Sequence, residues 1–359
     1  MECAQCGAWL SVVQPRAGSV QCAHCRGVTR VQRHGVMGFV TDAIAHIAGG
    51  GARAKVRPAA PARIREAGYP IVHGHKRALL VGVKYTGTDG ELSGPINDVK
   101  GMSFLLTQKY GFPNQCILTL TDEECDPYRT PTRYNILLAM RWLVYGCRSG
   151  DSLVFHFSGH GGQVRDEDDG DELDGKDETI CPVDGGYIRD DEINEALVRP
   201  LVHGVTLHAI IDACHSGTVL DLPNLCKLKK NGQPKWENHS PANGAWKNPS
   251  GGQAILISGC TDSQLSTDGI RDEQLPMGLL TYSFVTAAFF AQQSPTYVQL
   301  LATIKAIILE RNADRRIIRK LPAPLSSLVR KVVNFSGVQE PQLSSSHKFD
   351  VNREHFVLE

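Results

Sequence analysis

From Arg77 onward, short apolar runs alternate with longer segments whose apolar residues recur three and four positions apart. The runs Ala78–Val83, Gln115–Leu120, Ser152–Phe157, Val205–Ile211 and Gln253–Ser258 are bounded by small or polar residues, the form of strands buried on both faces. Between them, Asn97–Tyr110 puts Val99, Met102, Leu105 and Leu106 on one helical face. Thr130-Pro131 opens a helix through Trp142 to Gly146, and Asp190–Val202, Gly278–Gln292 and Tyr297–Arg311 are also read as helical. Strands alternating with helices predict an α/β fold whose largely parallel sheet is covered on both faces. Two regions break the rhythm. Residues 226–250 are polar with Pro and Gly and read as an exposed connector, and the tail from Gln339 reads as irregular until a last strand at His355–Leu358.

Ahead of this pattern, residues 36–76 are rich in Gly, Ala, Arg and Pro and read as a flexible linker with one short helix at Val36–Ile47. Net charge is zero, but residues 1–77 hold 11 Lys/Arg against 3 Asp/Glu, and the remainder holds 27 against 35. The basic residues of the arm are dispersed, so a solvated linker is expected over a nucleic-acid contact. The longest apolar stretch, Gly278–Ala291, is too short to span a bilayer. The opening MECAQC has no basic patch leading into an apolar region, so no secretory signal is expected.

Eleven cysteines in a chain of this kind point to metal ligation or catalysis, not to a disulfide framework. Cys3-x-x-Cys6 and Cys22-x-x-Cys25, fifteen residues apart, have the spacing of a tetrahedral four-cysteine zinc site. A unit of about thirty residues has too little core to fold unaided, so Zn2+ is expected to supply its stability. His24 is read as solvent-facing.

Two strands end in reactive residues. Ser152–Phe157 runs into Ser158, Gly159, His160, Gly161 and Gly162, and Val205–Ile211 runs into Asp212, Ala213, Cys214, His215, Ser216 and Gly217. In open α/β sheets the chemistry collects at the carboxyl ends of strands. A thiol becomes a nucleophile when a nearby imidazole takes its proton, so Cys214 and His160 are a candidate dyad. The backbone N–H groups of Cys214 and Gly161 are the candidate oxyanion hole. His215 is the rival base, but strand alternation turns it away from the thiol. The same period of two places Asp212 and Ser158 on the faces of Cys214 and His160, one step deeper. A carboxylate there would select a cationic side chain, Arg or Lys; a turn-capping carboxylate is the alternative.

Nine of the thirteen residues from Asp166 to Glu178 are acidic, and Asp190-Asp191 follow. Such a run is either a solvated loop or a set of oxygen ligands for a hard cation, and composition leaves both open.

The motifs FHFSGHGGQ (155–163) and IIDACHSGTVLDLP (210–223) resemble those of metacaspases. With CAQC…CAHC, RALLVGVKY, NDVKGM, DGDELDGKDETICPVD, IRDDEIN, MGLLTYSF and QEPQLSSS, nearly the whole chain is similar to a plant type I metacaspase carrying a zinc finger of the lesion-simulating-disease type. The resemblance implies a caspase–hemoglobinase-like three-layer α/β/α sandwich. It divides the chain into a finger (1–35), linker (36–76), large-subunit-like region (77–225), connector (226–250) and small-subunit-like region (251–359). It implies a cysteine endopeptidase that cleaves after Arg or Lys, responds to Ca2+, cleaves itself and acts in programmed cell death. His160 and Cys214 fall on its dyad and Asp98, Ser158 and Asp212 on its basic-residue pocket. Its calcium carboxylates fall on Asp174, Asp190, Asp191 and Asp221. Pro95 stands where relatives usually have cysteine, which alters one pocket wall. Lys227, Lys229, Lys230 and Lys235 are the expected self-cleavage sites. Expected partners are protein or peptide substrates and a protein bound by the finger, with no nucleic acid and a monomeric chain. The expected location is cytoplasmic, with the nucleus also open. The alternative from another class is an adaptor or negative regulator of cell death that acts through the finger with little proteolysis.

Overall fold

The structure is a computed structural model that describes residues 19–21, 28–30, 62–71, 74–166, 175–229, 232–241, 243–260, 276–312 and 340–358. The chain divides into two units, residues 1–58 and 59–359. In the first, β1 (Ser19–Gln21) pairs antiparallel with β2 (Val28–Arg30). The four candidate zinc ligands Cys3, Cys6, Cys22 and Cys25, and the helix expected at 36–47, lie outside the described residues.

The second unit begins with α1 (Ala62–Glu66) and β3 (Lys76–Gly82), then α2 (Pro95–Gln108), β4 (Ile117–Thr121), α3 (Arg133–Val144) and β5 (Ser152–Ser158). A small antiparallel sheet of β6 (Gly161–Arg165), β7 (Lys176–Ile180) and β8 (Ile188–Arg189) leads into α4 (Asp190–Ile193), which continues as a wider π turn to Val198. The chain then forms β9 (Thr206–Asp212), the hairpin β10 (Asn224–Leu228) and β11 (Pro234–Asn238), and β12 (Gln253–Cys260). It ends with α5 (Leu279–Phe290), α6 (Tyr297–Asn312) and β13 (Glu340–Ser345).

Eight strands form the main sheet in the order β11-β10-β13-β12-β9-β5-β3-β4. The five from β12 to β4 are parallel, and β13, β10 and β11 add antiparallel at one side. Parallel strands are buried on both faces, which is why their sequences are continuously apolar. Alternate residues serve opposite cores. Leu79, Val81, Phe155, Phe157, Ala209 and Ile211 join the side chains of α3, whereas Leu80, Val154 and Ile210 join Val99, Met102, Leu280, Phe284 and Leu301 of α2, α5 and α6. Ser158 and Asp212 have the parity of the second set, so period two points them towards α2 and α5. Among the described residues, no helix is long and apolar enough to cross a membrane.

The structure adds to one sequence expectation and overturns another. Within the connector at 226–250, the first part is the hairpin β10–β11, with Lys227 directly opposite Lys235. The tail, expected to be irregular from Gln339, is not. Glu340–Ser345 forms β13 in the middle of the antiparallel region, whereas His355 makes only an isolated bridge to Thr296. The physical reason is the same in both cases. Polar residues at a sheet's antiparallel side can still pair, and Ser344 and Ser345 are buried because their hydroxyls donate to the carbonyls of Gly217 and His347.

Helix α2 begins at Pro95, where a missing N–H costs nothing. Its first turn lies so close to the end of β3 that a Cβ on Gly82 would sit 2.6 Å from the Pro95 carbonyl oxygen and 2.8 Å from a Val99 methyl. Gly82→Ala is therefore expected to lower stability by about 1–3 kcal/mol through overpacking. Equilibrium denaturation against the parent checks this, and an unchanged midpoint would show the helix free to shift.

Candidate active site

Strands β5 and β9 run in register from Ser152 opposite Thr206 to Ser158 opposite Asp212. They leave the sheet together, the Gly159 N–H donating to the Asp212 carbonyl at 3.3 Å. His160 and Cys214 each lie two residues beyond that last pair. Gly161 packs directly on the nucleophile loop: a Cβ there would be 2.3 Å from the Cys214 carbonyl oxygen, so only glycine permits the approach. Cys214 is half-buried and not in a disulfide. Its loop is fastened from below, since the buried Ser216 hydroxyl lies 2.9 Å from the Ala213 carbonyl and 3.2 Å from that of Gly259, and Ser344 of β13 holds Gly217.

His160 is held on three sides. Its Nε2 lies 2.7 Å from the Gly90 carbonyl oxygen. A carbonyl only accepts, so Nε2 carries the proton and Nδ1 is the basic nitrogen. The His160 backbone N–H donates to the Tyr85 hydroxyl at 2.8 Å, and that hydroxyl donates to the Cys181 carbonyl at 2.7 Å. The Tyr85 ring lies against the imidazole, with centroids 4.6 Å apart. Tyr85 does this with φ at 57°, a left-handed conformation costly for a bulky residue. Burial pushes its phenol up, so it remains a donor.

The structure brings Asp98, Ser158 and Asp212 together on the face that strand parity indicates. Ser158 donates to Asp98 Oδ2 at 2.6 Å, and the Gly278 N–H donates to Asp98 Oδ1 at 2.8 Å. Asp212 Oδ2 accepts from both the N–H and the hydroxyl of Thr281, at 2.8 and 2.9 Å, in the first turn of α5. A Cβ at position 278 would fall 2.3 Å from Asp212 Oδ2 and 2.8 Å from Asp98 Oδ2, so the glycine backbone lies across both carboxylates. Asp98 is fully buried and Asp212 is partly open. Burial raises both carboxyls, and the Asp212 charge pushes Asp98 further up. Two carboxylates set against one glycine backbone favour the protonated form of the deeper one. Beside them is the Nε2 of the buried His156, which lies 3.2 Å from the Thr281 hydroxyl and is kept neutral because burial lowers it to about 3.

A second acidic group lies beyond the nucleophile loop. Asp177, Asp190 and Asp191 bring ligand oxygens within 4.8 Å of one another. The ammonium of Lys247 bonds to Asp191 and lies 3.0 Å from Asp221 Oδ2. Of the residues read as calcium ligands, Asp190, Asp191 and Asp221 belong to this region, and Asp174 lies outside the described residues. Hard oxygen donors in this number suit a hard divalent cation. The acidic run is not wholly a solvated loop, because Asp177 and Glu178 are buried in β7. Glu178 joins the two regions: its N–H donates to Asp190 Oδ2 at 2.6 Å, and its Oε2 accepts from Thr218 at 2.5 Å, four residues past Cys214.

Tyr85, Gly90, Gly278, Thr281, Asp177 and Lys247 were not legible as site residues, because each acts through backbone geometry or long-range contact and not through a local motif. The alternation argument that set His215 aside does not reach it, since β9 ends at Asp212 and His215 sits in a turn with φ at 52°.

A half-buried thiol and a held imidazole stand at adjacent strand ends, with a pair of carboxylates one step back along the same strands, and these are the residue types that a cysteine-type peptidase uses. The chain matches the family described as "Metacaspase, peptidase C14 domain" over residues 76–223. It is 48% identical over 295 residues to Metacaspase-1 of Arabidopsis thaliana, covering 80% of each chain. It is 46% identical to Metacaspase-2 of the same plant, over 80% of this chain and 74% of that one. With Metacaspase-3 the identity is 42%, over 96% of each. The chain belongs to the metacaspase family.

The Tyr85 contacts make it a positioning residue for His160. Tyr85→Phe keeps the ring but removes the hydroxyl bridge, and is expected to lower kcat about tenfold with KM unchanged. Tyr85→Leu removes the ring as well and should lower kcat further, again with KM unchanged. A Tyr85→Phe enzyme with parental kcat would contradict the assignment.

Proposed function

We propose that this chain is an endopeptidase that cleaves after Arg or Lys, with Cys214 as nucleophile and His160 as base and acid. The observation that carries the reading is the convergence of Asp98, Ser158 and Asp212 beside the strand ends that bear the dyad. Nδ1 of His160 takes the Cys214 proton, and the thiolate attacks the carbonyl carbon of the scissile bond. The oxyanion is met by the backbone N–H groups of Cys214 and Gly161. His160 then returns the proton to the leaving amine, and water it activates releases the acyl group. A substrate guanidinium or ammonium reaches the partly open Asp212 first and draws the charge of the deeper Asp98.

Calcium is the activating cation in this reading, held by carboxylates from among Asp174, Asp177, Asp190, Asp191 and Asp221; when bound it neutralises these groups and orders the segment from Thr218 to Asp221. The Asp190–Glu178–Thr218 connection supports it, because a change at the cluster reaches the loop carrying Cys214. Self-cleavage falls in the β10–β11 hairpin. Lys227 and Lys235 are tied to Glu237 and paired in the ladder, so exposed Lys229, just past the last ladder pair, is the readier of the described lysines; Lys230 lies outside the described residues. The finger binds structural zinc through Cys3, Cys6, Cys22 and Cys25 and recruits a protein partner. Following the family resemblance, the enzyme acts in programmed cell death, in the cytoplasm with the nucleus also open.

Peptide-library profiling with and without Ca2+ tests the reading. The expected result is turnover of Arg and Lys peptides, stimulated by Ca2+ and absent in Cys214→Ala. Asp98→Asn is expected to lower kcat/KM for an Arg peptide about a hundredfold or more. The same variant should be more stable at neutral pH. A carboxyl whose pKa is raised in the fold contributes stability below its unfolded pKa and loses it as pH rises through the folded value, so removing its charge helps at neutral pH. Undiminished Arg cleavage by Asp98→Asn would overturn the pocket assignment.

A further inference from the structure

Lys247 lies between β11 and β12, in a segment whose composition reads as exposed connector, yet only 3% of its surface is accessible. Burying a lysine is costly unless its charge is met. Here it is met by the acidic region: the ammonium bonds to Asp191 and, at 3.0 Å, to Asp221, while Asp177 and Asp190 bring oxygens within 4.8 Å of Asp191. Asp221 itself is held with φ at 51°, so the backbone accepts a strained conformation to present this carboxylate. The Lys247 carbonyl is fastened as well. Asn194 Nδ2 donates to it at 2.9 Å and to the Leu220 carbonyl at 2.8 Å, which ties the lysine's segment to the end of the nucleophile loop.

We propose that the Lys247 ammonium is a resident cation that a divalent ion must displace, so that metal binding at this site is an exchange. The inference rests on the calcium reading above and adds the residue that governs it. Asp191 and Asp221 cannot give the same oxygens to an ammonium at hydrogen-bond distance and to a cation at ligand distance, because the two positive charges would overlap. Without metal, the Lys247 ammonium offsets part of the acidic charge. A divalent ion offsets more charge and frees the lysine side chain, while Asn194 keeps its hold on the Lys247 carbonyl. The apparent metal affinity is then lowered by the fraction of molecules in which Lys247 is seated. One tethered side chain therefore sets a threshold for the cation.

The test uses full-length protein carrying Cys214→Ala, which prevents self-cleavage, with CaCl2 as the probe. Calorimetric titration is expected to show binding about tenfold tighter when Lys247→Met is added, since seating no longer competes. Lys247→Arg, which keeps a cation in place, should retain the weak affinity of the parent. In the parent, acetylation of Lys247 by acetic anhydride, read by peptide mass spectrometry against exposed Lys235, should be low without Ca2+ and rise on its addition. This labelling carries the test alone if Lys247→Met does not fold. Equal or weaker binding by Lys247→Met, or Lys247 labelling unchanged while Ca2+ binds, would overturn the exchange and leave the calcium reading standing. If neither protein binds Ca2+, both fall together.

Discussion

The register between β5 and β9 is the constraint on which the site depends. Seven consecutive pairs, ending at Ser158 opposite Asp212, fix where two separate stretches of chain leave the sheet. A slip of one residue would reverse the parity of every side chain on one strand. Phe157 and Ile211 would lose the core packed by α3, and Ser158 or Asp212 would lose the partners supplied by α2 and α5. Hydrophobic burial on two faces therefore holds the register, and the register places the thiol, the imidazole and the carboxylates. Stability and chemistry share one geometric condition.

The molecule has two buried acidic groups on either side of the nucleophile loop, and it treats them differently. Asp98 and Asp212 receive neutral donors: a serine hydroxyl, the Gly278 amide and the first turn of α5. Burial raises both carboxyls, and no positive side chain is among these donors. The group around Asp177, Asp190, Asp191 and Asp221 contains the ammonium of Lys247. Glu178 and Thr218 span the distance between that group and the Cys214 loop. In the function proposed above, the first arrangement would serve recognition of a substrate charge and the second the response to a cation.

Much of this was readable in the chain before any coordinates. The parallel strands announce themselves because burial on both faces demands continuous apolar runs, and the Gly-rich endings at 159–162 and 217 mark where backbones approach. Period two indicated the face of the sheet on which Ser158 and Asp212 lie, and there they meet Asp98 and Thr281. What composition could not reveal is pairing by polar residues. β13 reads Glu-Pro-Gln-Leu-Ser-Ser, and nothing local says that it lies between β10 and β12. Likewise Lys247 reads as one more solvated lysine, since its burial depends on carboxylates 26 and 56 positions away. Tyr85 is apolar enough to pass for core, and only the fold turns its hydroxyl to the backbone of His160. The zinc-spaced cysteines are the opposite case, fully legible in spacing and outside the described residues.

The central claim is that the Asp98–Asp212 pair exchanges a proton for a substrate cation. Calorimetric titration of Cys214→Ala with a peptide ending in argininamide, run at neutral pH in two buffers of different ionisation enthalpy, measures this directly. The account predicts net proton release on binding, because the guanidinium lowers the raised pKa of the Asp98–Asp212 pair, and predicts that Asp98→Asn abolishes the release. Tight binding with identical heats in both buffers, or with proton uptake, would contradict it.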